Sequence, residues 1–401
     1  MMKKSLTSFF EEFLHKESLF VDRGVLIASY NPETINHRDK EINKIAGILA
    51  PALKQEKPSN LFVYGNTGTG KTLVVKHVID NMDAVSKNKK IPLKIIYVNC
   101  KLKRVADTEY RLMAQLAFSF GKAIPPTGLP TEEVYKIFYD VVEKEKCVVL
   151  LVLDEIDQLV KRAGDGILYN LTRINEELKN SQIALVGISN DATFAENIDA
   201  RVKSSLSEED ILFPPYNALE MGDILRERAS KAFKENVIEQ GVIEKCAAYA
   251  AREHGDSRKA IELLRVSGEI AERAKNTTIS TEHIDEAEEK LEREKIFDII
   301  KTQPKQFQAV LFSILSVKNN NLSIYTGGIY DFYKKLCFNV GLRPLTQRRV
   351  SDIIGEFELI GVINTKTISK GRYGRTREIT LSVPSSVLPL TKKILEEGLA
   401  S

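Results

Sequence analysis

A chain of 401 residues, 43% hydrophobic and 28% charged, is long enough for two or three domains with cores of their own and too apolar to be disordered. No run approaches the roughly 18 apolar residues of a membrane span, and MMKKSLTSFFEEFLHKESLF carries acids where a secretory signal is apolar, so a cytoplasmic protein with no membrane partner is expected. Net charge is only +3, yet residues 301–401 hold 15 basic against 7 acidic side chains while the remainder holds 43 against 48, which predicts an anionic partner for the last quarter alone.

Taken in chain order, residues from Leu61 to about Pro215 alternate short apolar runs with helical stretches. LFVY, LKIIYVN, CVVLLVLDE and IALVGIS read as strands of a parallel sheet covered on both faces, an α/β arrangement. The first strand runs directly into GNTGTGKT, residues 65–72, and then into a helix. Gly65, Gly68 and Gly70, with Asn66, Thr67 and Thr69 between them, let backbone amides converge on a phosphate, and the helix adds the positive end of its dipole. Lys71 offers a mobile charge to the β and γ phosphates, and the Thr72 hydroxyl is a magnesium ligand.

The run VVLLVLDEID delivers two carboxylates beside that loop. Asp154 is expected to hold magnesium through water, and Glu155 to polarise the water that attacks the γ phosphate. These elements predict binding of ATP and its hydrolysis to ADP. Asn190, closing IALVGIS, either orients the attacking water, reports the γ phosphate, or caps a turn. Cys100, Cys147, Cys246 and Cys337 form no CxxC pair and read as small core residues.

From Asn217 to about Arg293 apolar residues recur at helical spacing, as in Ile261, Leu264, Val266 and Ile270, and no strand is evident. The predicted domains are therefore 1–215, 216–293 and 294–401. In the last, Val350, Ile353, Ile354 and Phe357 form one apolar helical face with Thr346 as N-cap, so that Gln347, Arg348 and Arg349 project from the exposed first turn. A Gly- and Arg-rich hairpin follows: between Lys366 and Arg377 there is no acid and one aromatic, Tyr373. A helix with a basic start followed by such a hairpin is the layout of a winged-helix DNA-binding domain. Its tip, with Lys370, Gly371, Arg372, Tyr373 and Arg375, is narrow enough for a minor groove; a solvated basic hairpin is the alternative.

The order of these elements resembles the AAA+ P-loop ATPases with a helical lid. More narrowly, SYNPETINHRDKEI, VYGNTGTGKT, VVLLVLDEID, RVKSSL, FPPYNALEMGDILRERA, EHGDSRKAIELL and GRYGRTREI are similar to the archaeal origin-recognition and cell-division-control replication initiators, from about Val21 to the C-terminus. The resemblance implies that Arg258 is a lid arginine directed at the γ phosphate and that Tyr216 and Arg228 line the nucleotide. Arg201 falls where such proteins present an arginine finger to a neighbouring subunit; a structural salt bridge is the alternative, and Ser205 stands where many relatives have a second arginine. In NCKLKRVADTEYRLMAQLAFSFGK, where the family carries a DNA-touching helical insertion, Lys101, Lys103 and Arg104 are candidate contacts or a solvated helix start.

The function implied is an ATP-dependent switch that binds double-stranded DNA at replication origins, with paralogous initiator subunits, and helps to recruit or load the replicative helicase, hydrolysing ATP slowly. A chromosome-associated location follows. The alternatives are a clamp-loader or remodelling motor with rapid turnover, and an ATP-regulated winged-helix transcription or signalling protein.

Overall fold

The computed structural model describes residues 17–101, 108–191, 193–206, 208–252, 255–318, 324–369, 375–382 and 387–400. The chain forms two compact units, one ending at Ile284 and the other beginning at Asp285. Among the described residues no helix is long and apolar enough to cross a membrane.

The first unit is built on a five-stranded parallel sheet of β1 (Leu61–Gly65), β2 (Leu93–Asn99), β3 (Val148–Asp154), β4 (Gln182–Ser189) and β5 (Glu209–Phe213), in the order β2-β3-β4-β1-β5. Its middle strands are apolar runs because helices cover both faces. α1 (Asp39–Leu49) and α2 (Lys71–Lys89) lay Ile45, Leu49, Val74 and Val78 on one side. The other side receives Leu112 and Leu116 of α3 (Glu109–Ser119), Phe138 of α4 (Thr131–Glu145), Leu159 of α5 (Ile156–Ala163) and Leu168 of α6 (Gly166–Arg173). β5 is a strand that apolar patterning does not announce. It is an edge strand, acidic at its start and with Leu212 exposed, and it follows the short α7 (Ala200–Leu206). All five strands point the same way, so the loops after β1, β3 and β4 meet at one edge, where α/β sheets bind ligands.

Three lid helices follow: α8 (Ala218–Ala232), started by an Asn217–Glu220 capping box, α9 (Val242–Arg252) and α10 (Ser257–Arg273), whose N-cap Asp256 accepts from the Arg258 amide. The segment Leu19–Arg23 is strapped across them. Its backbone bonds to Ala232 and Lys234, Leu19 N–H donates to Glu272, Arg23 pairs with the same carboxylate, and the Phe20 and Phe233 rings lie 4.6 Å apart.

α11 (Thr281–Thr302) begins in the first unit and ends in the second. The second unit contains α12 (Lys305–Lys318), the two-residue β6 (Ile324–Tyr325), α13 (Thr326–Asn339), α14 (Gln347–Leu359), β7 (Ile363–Ser369), β8 (Arg375–Leu381) and α15 (Leu388–Ala400). β7 and β8 form the antiparallel hairpin of a winged helix, with β6 beside β8 as a third strand. Val350, Ile353, Ile354 and Phe357 are all buried, as the spacing of α14 requires, and all four cysteines are buried too.

Candidate nucleotide site and nucleic-acid interface

Between β1 and α2 the loop curls so that Gly68 and Gly70 take φ of +76° and +90°. A Cβ on Gly68 would stand 1.8 Å from Asp256 Oδ1, and one on Gly70 would stand 2.8 Å from the Tyr216 hydroxyl, so both positions exclude any side chain. Asn66 and Thr67 are exposed at the tip; Thr69 is buried, its hydroxyl donating to the Asn66 carbonyl at 2.9 Å. Lys71 opens α2, but its ammonium turns inward and donates to the Gly65 and Asn66 carbonyls at 2.9 and 2.6 Å. Burial, reinforced by the like charge of Arg258, pushes the Lys71 pKa down to about 8.

At the end of β3, Asp154 is 3% exposed and fully engaged. Its oxygens stand 3.1 and 3.2 Å from the Thr72 hydroxyl; Oδ1 also accepts from the Glu155 amide at 3.0 Å, and Oδ2 from the Tyr97 hydroxyl. Burial and this bond to Asp154 drive the Tyr97 pKa upward, keeping the phenol protonated as a donor. Glu155 holds φ of +55° at the start of α5, a costly conformation for a residue with a side chain, and its Oε2 lies 3.8 Å from Lys101 Nζ. Asn190 follows β4 and is exposed, next to Ser189, whose hydroxyl reaches the buried Asp157 at 3.4 Å.

The lid sits directly on the phosphate loop. The Ser257 hydroxyl and amide both donate to the Gly68 carbonyl, at 2.7 and 3.2 Å. One residue on, the Arg258 side chain lines a cavity of about 390 Å³ with Arg23, Leu26, Ile27, Ala28 and the outer face of α10. The Tyr216 ring is buried under the Arg38 guanidinium, whose carbon is 3.9 Å from the ring centroid. Arg38, itself 2% exposed, donates through Nε to the Thr69 carbonyl and through Nη2 to the Pro214 carbonyl, at 3.1 and 2.7 Å. Arg228 is buried, donating to the Val25 carbonyl at 3.0 Å and lying over the Tyr30 ring. Arg201 is exposed, forks onto Asp199 through Nε and Nη2 at 3.1 and 3.0 Å, and lies over the Tyr169 ring.

Of the candidate DNA contacts, Gln347 and Arg348 are exposed on the first turn of α14, where Thr346 accepts from the Arg349 amide at 3.3 Å. Arg349 is exposed as well but pairs with Glu356 at 3.4 Å. Lys101 is exposed on a turn that Arg162 holds through the carbonyls of Cys100 and Lys101. Lys103, Arg104, Lys370, Gly371, Arg372 and Tyr373 lie outside the described residues, as does the side chain of Arg375 at the start of β8.

Three stretches match known families: residues 54–193 an AAA domain, 222–289 the Cdc6 AAA+ ATPase-type lid domain, and 298–388 the CDC6 C-terminal winged helix domain. Along 383 residues the chain is 48% identical to an ORC1-type DNA replication protein of Thermococcus kodakarensis, covering 94% of this chain and 92% of the relative. The chain belongs to the ORC1-type DNA replication proteins. An Archaeoglobus fulgidus member, ORC1-type DNA replication protein 1, is 47% identical over 388 residues, 97% of this chain and 93% of that one. Among solved structures, the Aeropyrum pernix ORC1 protein in complex with DNA superposes with a TM-score of 0.82 at 41% identity, covering 95% of this chain and 98% of that one.

The AAA+ core, lid and winged helix of this ORC1-type chain thus agree with the architecture expected from its motifs. Four residues that the motifs did not single out also belong to the site: Arg38, Tyr97, Asp256 and Ser257. Asp256 and Ser257 were not read individually, though an Asp N-cap before a Ser that opens a helix is the signal that could have found them. Arg38 and Tyr97 carry no local signal, because their partners are 31 and 57 residues away.

Proposed function

We propose that this chain is an ATP-dependent origin-binding initiator that helps to recruit or load the replicative helicase and uses slow ATP hydrolysis as a switch. The observation that carries the proposal is the seating of α10 on the Gly68 carbonyl, which links the position of the lid to the loop that would hold phosphate. DNA binding is supported by the exposed, basic first turn of α14 and by the DNA-bound Aeropyrum pernix relative.

The residues fit a nucleotide with magnesium. Thr72 and Asp154 bring a hydroxyl and a carboxylate together, and among the described residues no cluster of three or more His, Cys, Asp or Glu offers a metal site made by protein alone. That donor set suits a cation which keeps waters and takes its other oxygens from phosphates. Bound there, magnesium would neutralise charge on the phosphate oxygens. Lys71 exchanges its loop carbonyls for phosphate, Glu155 accepts a proton from the attacking water, and Arg258 draws the lid toward the γ phosphate.

The test is binding of an origin duplex by wild type and Arg258→Ala with ATP, with ADP and without nucleotide. Wild type should bind in a nucleotide-dependent way, while the variant should bind nucleotide yet lose that dependence. An ATP dependence that survives in Arg258→Ala would overturn the switch.

A further inference from the structure

We propose that Tyr97 is a positioning residue for Asp154, holding the carboxylate toward Thr72 in the orientation that receives the cation. The proposal rests on the nucleotide-and-magnesium reading above and concerns how this chain prepares the site. Tyr97 stands on β2 opposite Val152 of β3, two residues short of Asp154, and its side chain reaches along the sheet to place the hydroxyl on Oδ2.

The direction of that hydrogen bond follows from the two groups themselves. A carboxylate oxygen accepts, so the phenol is the donor and Asp154 Oδ2 the acceptor. The ring itself is held in place: Lys76, on the first turns of the helix that Lys71 opens, sits 4.4 Å from its centroid. A carboxylate turns easily about its last bond, and Asp154 would otherwise be oriented only by the Glu155 amide and the Thr72 hydroxyl, of which the hydroxyl must reorient when it binds the cation. Tyr97 supplies the contact that persists. Phenylalanine would fill the same space, so the hydroxyl accounts for the difference.

Full-length wild type and Tyr97→Phe are compared by titrating a fluorescent ADP analogue in EDTA and across a series of magnesium concentrations. The variant should match wild type in EDTA and need about fivefold more magnesium for half of the magnesium-dependent gain in affinity, the effect of about one hydrogen bond. Coincident magnesium midpoints would overturn the proposal. So would an equal loss of affinity with and without magnesium accompanied by a lower melting temperature, which would assign Tyr97 to packing. If wild type gains no affinity from magnesium, the nucleotide-and-cation reading falls and takes this proposal with it.

Discussion

Lys71 is the residue on which the site turns, because its ammonium is held by two carbonyls of its own loop and must leave them to meet a phosphate. Lys71→Ala should therefore weaken ATP binding about ten- to hundredfold, the loss of a charge-assisted contact. Glu155→Gln, which keeps size and polarity, should bind ATP as wild type does and fail to hydrolyse it; hydrolysis at the wild-type rate would remove Glu155 as the base. Gly68→Ala forces a methyl group into the Asp256 carboxylate at a left-handed φ, and equilibrium binding should show the loss of nucleotide affinity that a displaced lid produces. At this scale, the residues of the phosphate loop and the acids after β3 were legible because local chemistry demands them at fixed spacing. Arg38 was not: a lone arginine before a helix has the same appearance whether it is solvated or, as here, buried between the Tyr216 ring and the Thr69 carbonyl.

Among the elements, α14 and the hairpin were readable for a different reason, a clean apolar face followed by turn residues and charge. β5 escaped because an edge strand needs apolar residues on one side only, and its burial alternates. The junction of α14 with β7 is made by Glu358, whose carboxylate accepts from both the amide and the hydroxyl of Thr365, contacts that hold its pKa below the ordinary 4.5. A depressed carboxylate stabilises the fold above its unfolded pKa and loses that contribution as pH falls through its folded pKa. Glu358→Gln should thus melt below wild type near neutral pH, with the difference closing once the pH drops well under 4.5. For the wing, Arg372→Ala with Arg375→Ala should lower DNA affinity and flatten its salt dependence by roughly one logarithmic unit per lost phosphate contact. Arg348→Ala should instead relax sequence preference by about 1 to 3 kcal/mol if it reads a base edge. Titrations of origin and random duplexes separate the two, and identical slopes and affinities would mean that neither the wing nor α14 holds DNA.

For the molecule as a whole, the excess of positive charge in residues 301–401 belongs to the second unit, and the first carries the machinery for phosphate. Holding the first unit's lid together is the strap, where Phe20 is buried against Phe233 and beneath Gly268. Phe20→Ala should cost about 3 kcal/mol, read as an earlier thermal transition, since it empties a packed aromatic site. The strap also has a meaning in time. Leu19 and Arg23 are among the first described residues to leave the ribosome, yet their partner Glu272 lies about 250 residues later, 253 from Leu19 and 249 from Arg23. Domains form as they are synthesised, starting from the N-terminus. This segment cannot: its first partners, Ala232, Phe233 and Lys234, follow the whole sheet, and its contacts are complete only when Glu272 has been made. The segment is therefore a late reporter of the first unit's synthesis, and a nascent chain halted before residue 232 should leave it open to proteolysis even where the phosphate loop has already formed.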